Sequence, residues 1–118
     1  ESKLRLLFSD LITQYRSKEY PFDCDYYIPS LNLYIEYNGT WTHGDKFFDK
    51  SNIEDLEKLN QWIEKSKTSN YYKNAIETWT VRDINKLNTA IENNLNYIAW
   101  FNKEQAYDWI EKYKETIK

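Results

Sequence analysis

The 118 residues predict an α/β fold, a small mixed β-sheet flanked by helices. Three observations carry this expectation. Apolar residues step by three and four from Ser2 to Tyr15, then by two from Phe22 to Ile28 and from Leu33 to Asn38. A short apolar run, Leu95 to Phe101, has the make-up of a buried strand. Helical stripes stand on either side of that run. The predicted order is helix, strand, strand, short strand, one or two helices, helix, strand, helix.

The first helix is read from Ser2 to Tyr15, where Leu4, Leu7, Phe8, Leu11, Ile12 and Tyr15 share one face and Glu1 stands near the first turn. After Tyr20-Pro21, Phe22, Cys24, Tyr26 and Ile28 alternate with Asp23, Asp25 and Tyr27, which sets Asp25 on the face opposite Cys24. Pro29-Ser30 marks a turn. In the next strand Leu33, Ile35 and Tyr37 oppose Tyr34, Glu36 and Asn38. Gly39 ends the alternation, and Thr40 to Gly44 reads as a short third strand or a bend. Asp45 to Lys50 is a polar loop holding Phe47 and Phe48.

From Ile53 to Lys65, Leu56, Leu59, Trp62 and Ile63 recur at helical spacing, with Ser51 or Asn52 as the cap and Glu54 near the start. Tyr71 to Trp79 reads as helix, with a strand left open by its Tyr, Thr and Ile content. Thr80-Val81-Arg82-Asp83 has the spacing of an N-cap and its acid, and the helix it opens runs through Leu87 and Ala90 to Asn93-Asn94. Leu95 to Phe101 is the last strand. Lys103 to Ile117 is the last helix, with Ala106, Trp109, Ile110 and Tyr113 inward.

The length suits a single domain over residues 1–118. The chain begins at Glu1 and contains no Met, the pattern expected of a domain excised or processed from a longer protein. No apolar run approaches the ~18 residues of a membrane span and no signal-peptide pattern opens the chain, so a soluble, cytoplasmic protein is expected. One Cys excludes an intrachain disulfide and a Cys-based zinc cluster, and Cys24 is read as a small buried hydrophobe. The net charge of −3 argues against a stand-alone nucleic-acid binder that works through a cationic surface. It is compatible with a nuclease, whose metal-binding carboxylates lower the count.

The chemistry concentrates between Phe22 and Gly44, which holds the chain's one His and one Cys. A carboxylate in so apolar a strand as that of Glu36 is costly unless it is protonated, paired or bound to a cation. Adjacent strands can place Asp25 and Glu36 on a common face, where two carboxylates would hold Mg²⁺ or Mn²⁺ for phosphodiester hydrolysis. His43, with an ordinary pKa of ~6.5, suits general-base work. Asp83, taken alone, is an acid favoured at a helix start. Trp41 could stack on a base or fill the core.

Taken in order, Asp25, Glu36-Tyr37-Asn38-Gly39, Trp41-Thr42-His43 and Thr80-Val81-Arg82-Asp83 before Leu95 to Phe101 resemble the PD-(D/E)xK nuclease superfamily. The branch they resemble most is that of the very short patch repair endonucleases and the phage-encoded EDxHD homing endonucleases. The resemblance implies a restriction-endonuclease-like core acting on double-stranded DNA. It also implies Asp25 as chief metal ligand, His43 as general base or water-positioning group, and Glu1 and Asp83 as outer members that orient His43 or the hydrated metal. Trp41, Asn38, Arg82 and Lys86 are the candidate DNA contacts.

Three departures accompany it. Asn38 stands where the wider superfamily has its Lys, and Lys86, on a helix, is the candidate substitute. The second His common in the repair branch at the position of Asn38, and its zinc-binding Cys/His set, are missing. Thr42 replaces the second DNA-wedging aromatic. The function expected is a Mg²⁺-dependent DNA endonuclease domain of homing or mobile-element type. The alternatives are a catalytically inactive nuclease-fold module that binds DNA or protein, and a junction resolvase acting on branched DNA.

Overall fold

The structure, a computed structural model, describes residues 2–38 and 46–116. Its centre is a four-stranded mixed sheet of β1 (Ile12–Tyr15), β2 (Cys24–Ile28), β3 (Leu33–Tyr37) and β4 (Asn96–Trp100), in that spatial order. β1 to β3 are antiparallel neighbours, and β4 joins β3 in parallel. A parallel pair cannot be closed by a hairpin. The crossover here contains α2 (Ile53–Ser66), α3 (Asn70–Glu77) and α4 (Asp83–Glu92). The helices α1 (Ser2–Leu7) and α5 (Lys103–Thr116) flank the chain's two ends.

The central strand explains the layering. Leu33, Tyr34, Ile35 and Glu36 are all buried, so both faces of β3 are covered. On one face Ile28, Leu33 and Ile35 pack with Leu4 and Phe8 from α1 and its exit, and with Ala106 and Ile110 of α5. On the other, Tyr20, Cys24 and Tyr34 pack with Ala90 of α4. The fold is thus helices, sheet, helix, with the crossover returning α4 onto the face that carries Glu36.

The predicted long first helix is two elements. α1 stops at Leu7, where Phe8 N–H closes the last turn onto Leu4 O (2.8 Å), and Ser9-Asp10 reverses the chain. Asp10 Oδ2 accepts from Ser30 N (2.7 Å) and so ties that turn to the β2–β3 connection. Ile12 to Tyr15 then pair with Tyr27, Tyr26 and Cys24, and Tyr15 stacks on Tyr27 with ring centroids 4.1 Å apart. Leu11, Ile12 and Tyr15 continued the helical spacing by coincidence. The β-branched and aromatic character of Ile-Thr-Gln-Tyr suits an extended edge strand, and pairing with β2 decides the matter.

Two smaller readings change. Thr80 does not cap a new helix: α3 runs into α4 through one π-helical turn, Thr78–Arg82, in which Thr80 Oγ1 donates to Ile76 O (2.7 Å). Tyr71 to Trp79 is accordingly helical in full. The strict alternation of β2 also fails at its first residue, because Cys24 packs with Tyr20 and Tyr34 while Tyr26 and Ile28 belong to the other layer.

The remaining elements match their sequence signals. Asn52 caps α2, its Oδ1 accepting from Asp55 N (3.1 Å). α2 packs through Trp62 against Tyr72 and Trp79, while Leu56 and Ile63 of its expected inner stripe stay 40% and 44% exposed. The short strand or bend expected over Thr40 to Gly44 lies outside the described residues. No helix among the described residues is long and apolar enough to cross a membrane.

Candidate active site

Glu36 is the group the site is built on. It is 2% exposed in the middle of the most buried strand, and each of its oxygens is engaged. Oε1 accepts the main-chain N–H of Asp25 (3.0 Å). Oε2 accepts the Tyr20 hydroxyl (2.5 Å) and lies 3.2 Å from Lys86 Nζ. A buried carboxylate needs such partners, since charge removed from water is costly when left unmatched. Lys86 comes from α4, its side chain 28% exposed, so a cation reaches Glu36 from the crossover helix.

Asp25 lies beside this pair on β2. Its Oδ2 accepts from Tyr37 N (2.8 Å), so the two acidic residues are cross-laced, each carboxylate taking an amide of the other's strand. Burial raises the Asp25 pKa above the ordinary carboxylate value, and the charge of Glu36 adds to the rise. The Tyr37 amide and Lys86 work in the opposite direction. The two carboxylates are thus held together, with the Lys86 ammonium beside Glu36.

Asp83 is buried at the start of α4, one turn before Lys86, and the i, i+3 spacing puts both on one side of that helix. Its charge, like that of Glu36, helps to keep the Tyr97 hydroxyl protonated, although burial is the larger cause. Tyr20 is held protonated in the same way, by burial first and then by its neighbours Tyr97 and Glu36. The Tyr20 and Tyr97 hydroxyls are 3.5 Å apart. Cys24 behaves as expected of a buried thiol: burial first, then Glu36, push its pKa up to about 12, and it donates to Tyr26 O and Ile35 O.

The structure therefore brings together Asp25, Glu36 and Lys86, with Asp83 on the same helix as Lys86. Asn38 follows β3 directly, its N–H bonded to Trp100 O (2.7 Å), and its side chain is half-buried. Arg82 is exposed and faces Glu77 at 3.6 Å, away from the carboxylate pair's hydrogen bonds. Glu1, Trp41 and His43 lie outside the described residues.

A divalent, oxygen-preferring cation fits the pair in its chemistry. An ionised carboxylate has about four lone-pair positions. Three described donors reach Glu36, which leaves it one, and Asp25 has one described donor on Oδ2. Among the described residues no group of three His, Cys, Asp or Glu converges. The pair would supply two protein ligands to a cation such as Mg²⁺, which usually retains several waters and takes substrate phosphate oxygens as further ligands.

The residue that sequence reasoning missed is Tyr20. It stands in a connection with no periodicity, sixteen positions from the carboxylate it serves, and only the Tyr20-Pro21 break drew notice. In comparisons with protein-family models, curated proteins and solved structures, nothing matches this chain.

Proposed function

We propose that the chain is a Mg²⁺-dependent DNA endonuclease domain that hydrolyses phosphodiester bonds in double-stranded DNA. The observation that carries this reading is that Glu36 of β3 meets both Asp25 of β2, whose main-chain N–H it accepts at 3.0 Å, and Lys86 of α4, whose Nζ lies 3.2 Å away. A carboxylate pair with a lysine beside it is what phosphodiester hydrolysis asks of a protein: ligands for the cation and a fixed positive charge near the scissile phosphate.

Bound Mg²⁺ would polarise the phosphate and lower the pKa of a coordinated water. Asp25 would hold that ion, with Glu36 as the second ligand through its remaining acceptor position. Lys86 pairs with Glu36 at 3.2 Å and presents an ammonium at the site, the task expected of the Lys that Asn38 replaces. Tyr20 fixes the Glu36 carboxylate from the side away from solvent. His43 would take the proton from the attacking water, and Glu1 and Asp83 would orient it. Trp41, Asn38 and Arg82 would contact DNA. The reading goes with a cytoplasmic location, where a free cysteine such as Cys24 stays reduced.

A second reading, a nuclease-fold module that binds DNA or protein without cutting, is favoured by one observation. Three donors already satisfy Glu36 without a cation, as in a purely structural buried pair. Supercoiled plasmid and a four-way junction, each incubated with Mg²⁺ or EDTA, separate the possibilities. The wild type should nick or linearise the plasmid only with Mg²⁺, and Asp25→Ala should lose at least ~10²-fold in rate while keeping its fold. Cleavage that persists in Asp25→Ala, or in EDTA, would overturn the metal assignment. DNA retention on a gel without cleavage would favour the binding module, and cutting confined to the junction would identify a resolvase.

A further inference from the structure

We propose that the molecule carries a second site, a pocket on the face of the sheet opposite Glu36, that takes a nucleobase together with its 5′-phosphate. The cavity measures about 400 Å³ and lies between α1, α5 and the ends of β3 and β4. This is within the size range of small-molecule sites. Its floor is apolar, made by Leu4, Ala106 and Ile110 of the α1–α5 layer. Its walls are aromatic, from Tyr26, Tyr37, Trp100 and Tyr107, and Lys3 and Lys103 complete the described lining.

The lining selects the ligand chemistry. Four aromatic side chains line one cavity, and a flat ring stacks on whichever of their faces is open, in a manner that tolerates any base. Two of them, Tyr37 and Tyr107, remain 37% and 45% exposed, so ring surface is accessible from solvent. Both charged residues in the described lining are lysines, on a chain whose net charge is −3. A local cationic pair against the sign of the whole molecule matches an anionic ligand. Lys3 Nζ stands over one face of the Tyr107 ring, 4.2 Å from its centroid, so the ring fixes the ammonium beside the pocket. A flat aromatic group joined to a phosphate is the ligand that uses both.

The spacing on α5 makes the pocket possible. Lys103, Ala106, Tyr107 and Ile110 fall on one side of the helix at steps of three, one and three. Ala106 opens the room that a larger residue would fill. Tyr37 links this face to the other, because its ring lines the pocket while its main-chain N–H donates to Asp25 Oδ2 (2.8 Å).

The inference does not rest on the nuclease reading, and its test is run in EDTA so that cation binding takes no part. Deoxyadenosine monophosphate, deoxyadenosine, a short single-stranded oligonucleotide and a fully paired duplex are titrated separately by calorimetry. The monophosphate should bind saturably. Exchanging both lysines, Lys3→Ala with Lys103→Ala, should weaken it at least tenfold while leaving deoxyadenosine unchanged. Tyr107→Ala should weaken both ligands. Tighter binding of the oligonucleotide than of the monophosphate would identify a splayed-out strand as the source, and equal binding a free nucleotide. The proposal is overturned if neither saturates, if the duplex alone binds, or if variants that melt like the wild type bind like it. Plasmid cleavage is a separate readout, so either proposal can fail while the other stands.

Discussion

At the scale of single residues, the role proposed for Asp25 would set function against stability. Its folded-state pKa is raised, chiefly by burial and further by Glu36. A carboxyl with a raised folded pKa binds its proton more tightly in the native state, so its ionised form costs stability above that pKa. The cost is relieved as pH falls through the folded value and is gone below the unfolded one. Asp25→Asn removes the charge and keeps an oxygen to accept from Tyr37 N. The variant should therefore be more stable than the wild type at pH 7 in urea unfolding, with the gap closing towards pH 4, and should not cleave DNA. A variant less stable at pH 7 would show that the ionised carboxylate is held by more than the structure records. Asp25 and Glu36 were legible in sequence because a carboxylate in an apolar strand stands out against its neighbours. Tyr20 was not, since nothing near it in the chain hints at a hydroxyl partner sixteen residues away.

At the scale of elements, the Lys86–Glu36 ion pair joins an apolar contact in holding α4 to the sheet. Ala90 packs in the core with Tyr34 and Tyr20, and Lys86, one turn earlier, reaches Glu36. Removing one partner of a buried pair typically costs 3–5 kcal/mol, because a charge is left unmatched. The 28% exposure of Lys86 and the Tyr20 bond to Glu36 moderate this; Lys86→Met should cost about 1–3 kcal/mol. In a Glu36→Gln background the same change should cost much less, a coupling that a double-mutant cycle in urea measures directly. Equal costs in both backgrounds would mean that the pair contributes nothing to docking. The π turn Thr78–Arg82 sets which side α4 presents after α3. Sequence periodicity located the helices on both sides of it but read the joint as a cap, because a Thr three residues before an acid has the same spacing in either setting. β1 was hidden for a related reason: four residues are too short for period two to outweigh an accidental continuation of the helical step.

At the scale of the molecule, the two layers have different chemistry although they share the sheet. The α1–α5 side buries an apolar core beneath an aromatic pocket rimmed by lysine, and the α4 side holds the carboxylates and their tyrosines. The architecture was legible because β2, β3 and the longer helices each show their own period, whereas the layering follows from β3 being central, which no local pattern states. If Asp25 and Glu36 hold Mg²⁺ as proposed, the stability of the fold depends on the cation. A ligand that binds only the folded state adds RT ln(1 + [L]/Kd), about 1.4 kcal/mol at ten times Kd. For a domain of this size that is a rise in Tm of several degrees. Mg²⁺ should raise the Tm of the wild type by this amount, EDTA should reverse it, and NaCl at equal ionic strength should not reproduce it. Because protonation of Asp25 competes with the cation, the rise should be larger at pH 8 than at pH 5, and Asp25→Asn should abolish it at both. A shift that survives in Asp25→Asn would move the cation to another part of the surface. No shift in the wild type would leave the Glu36–Lys86 pair as a structural tie and give the DNA-binding reading the stronger claim.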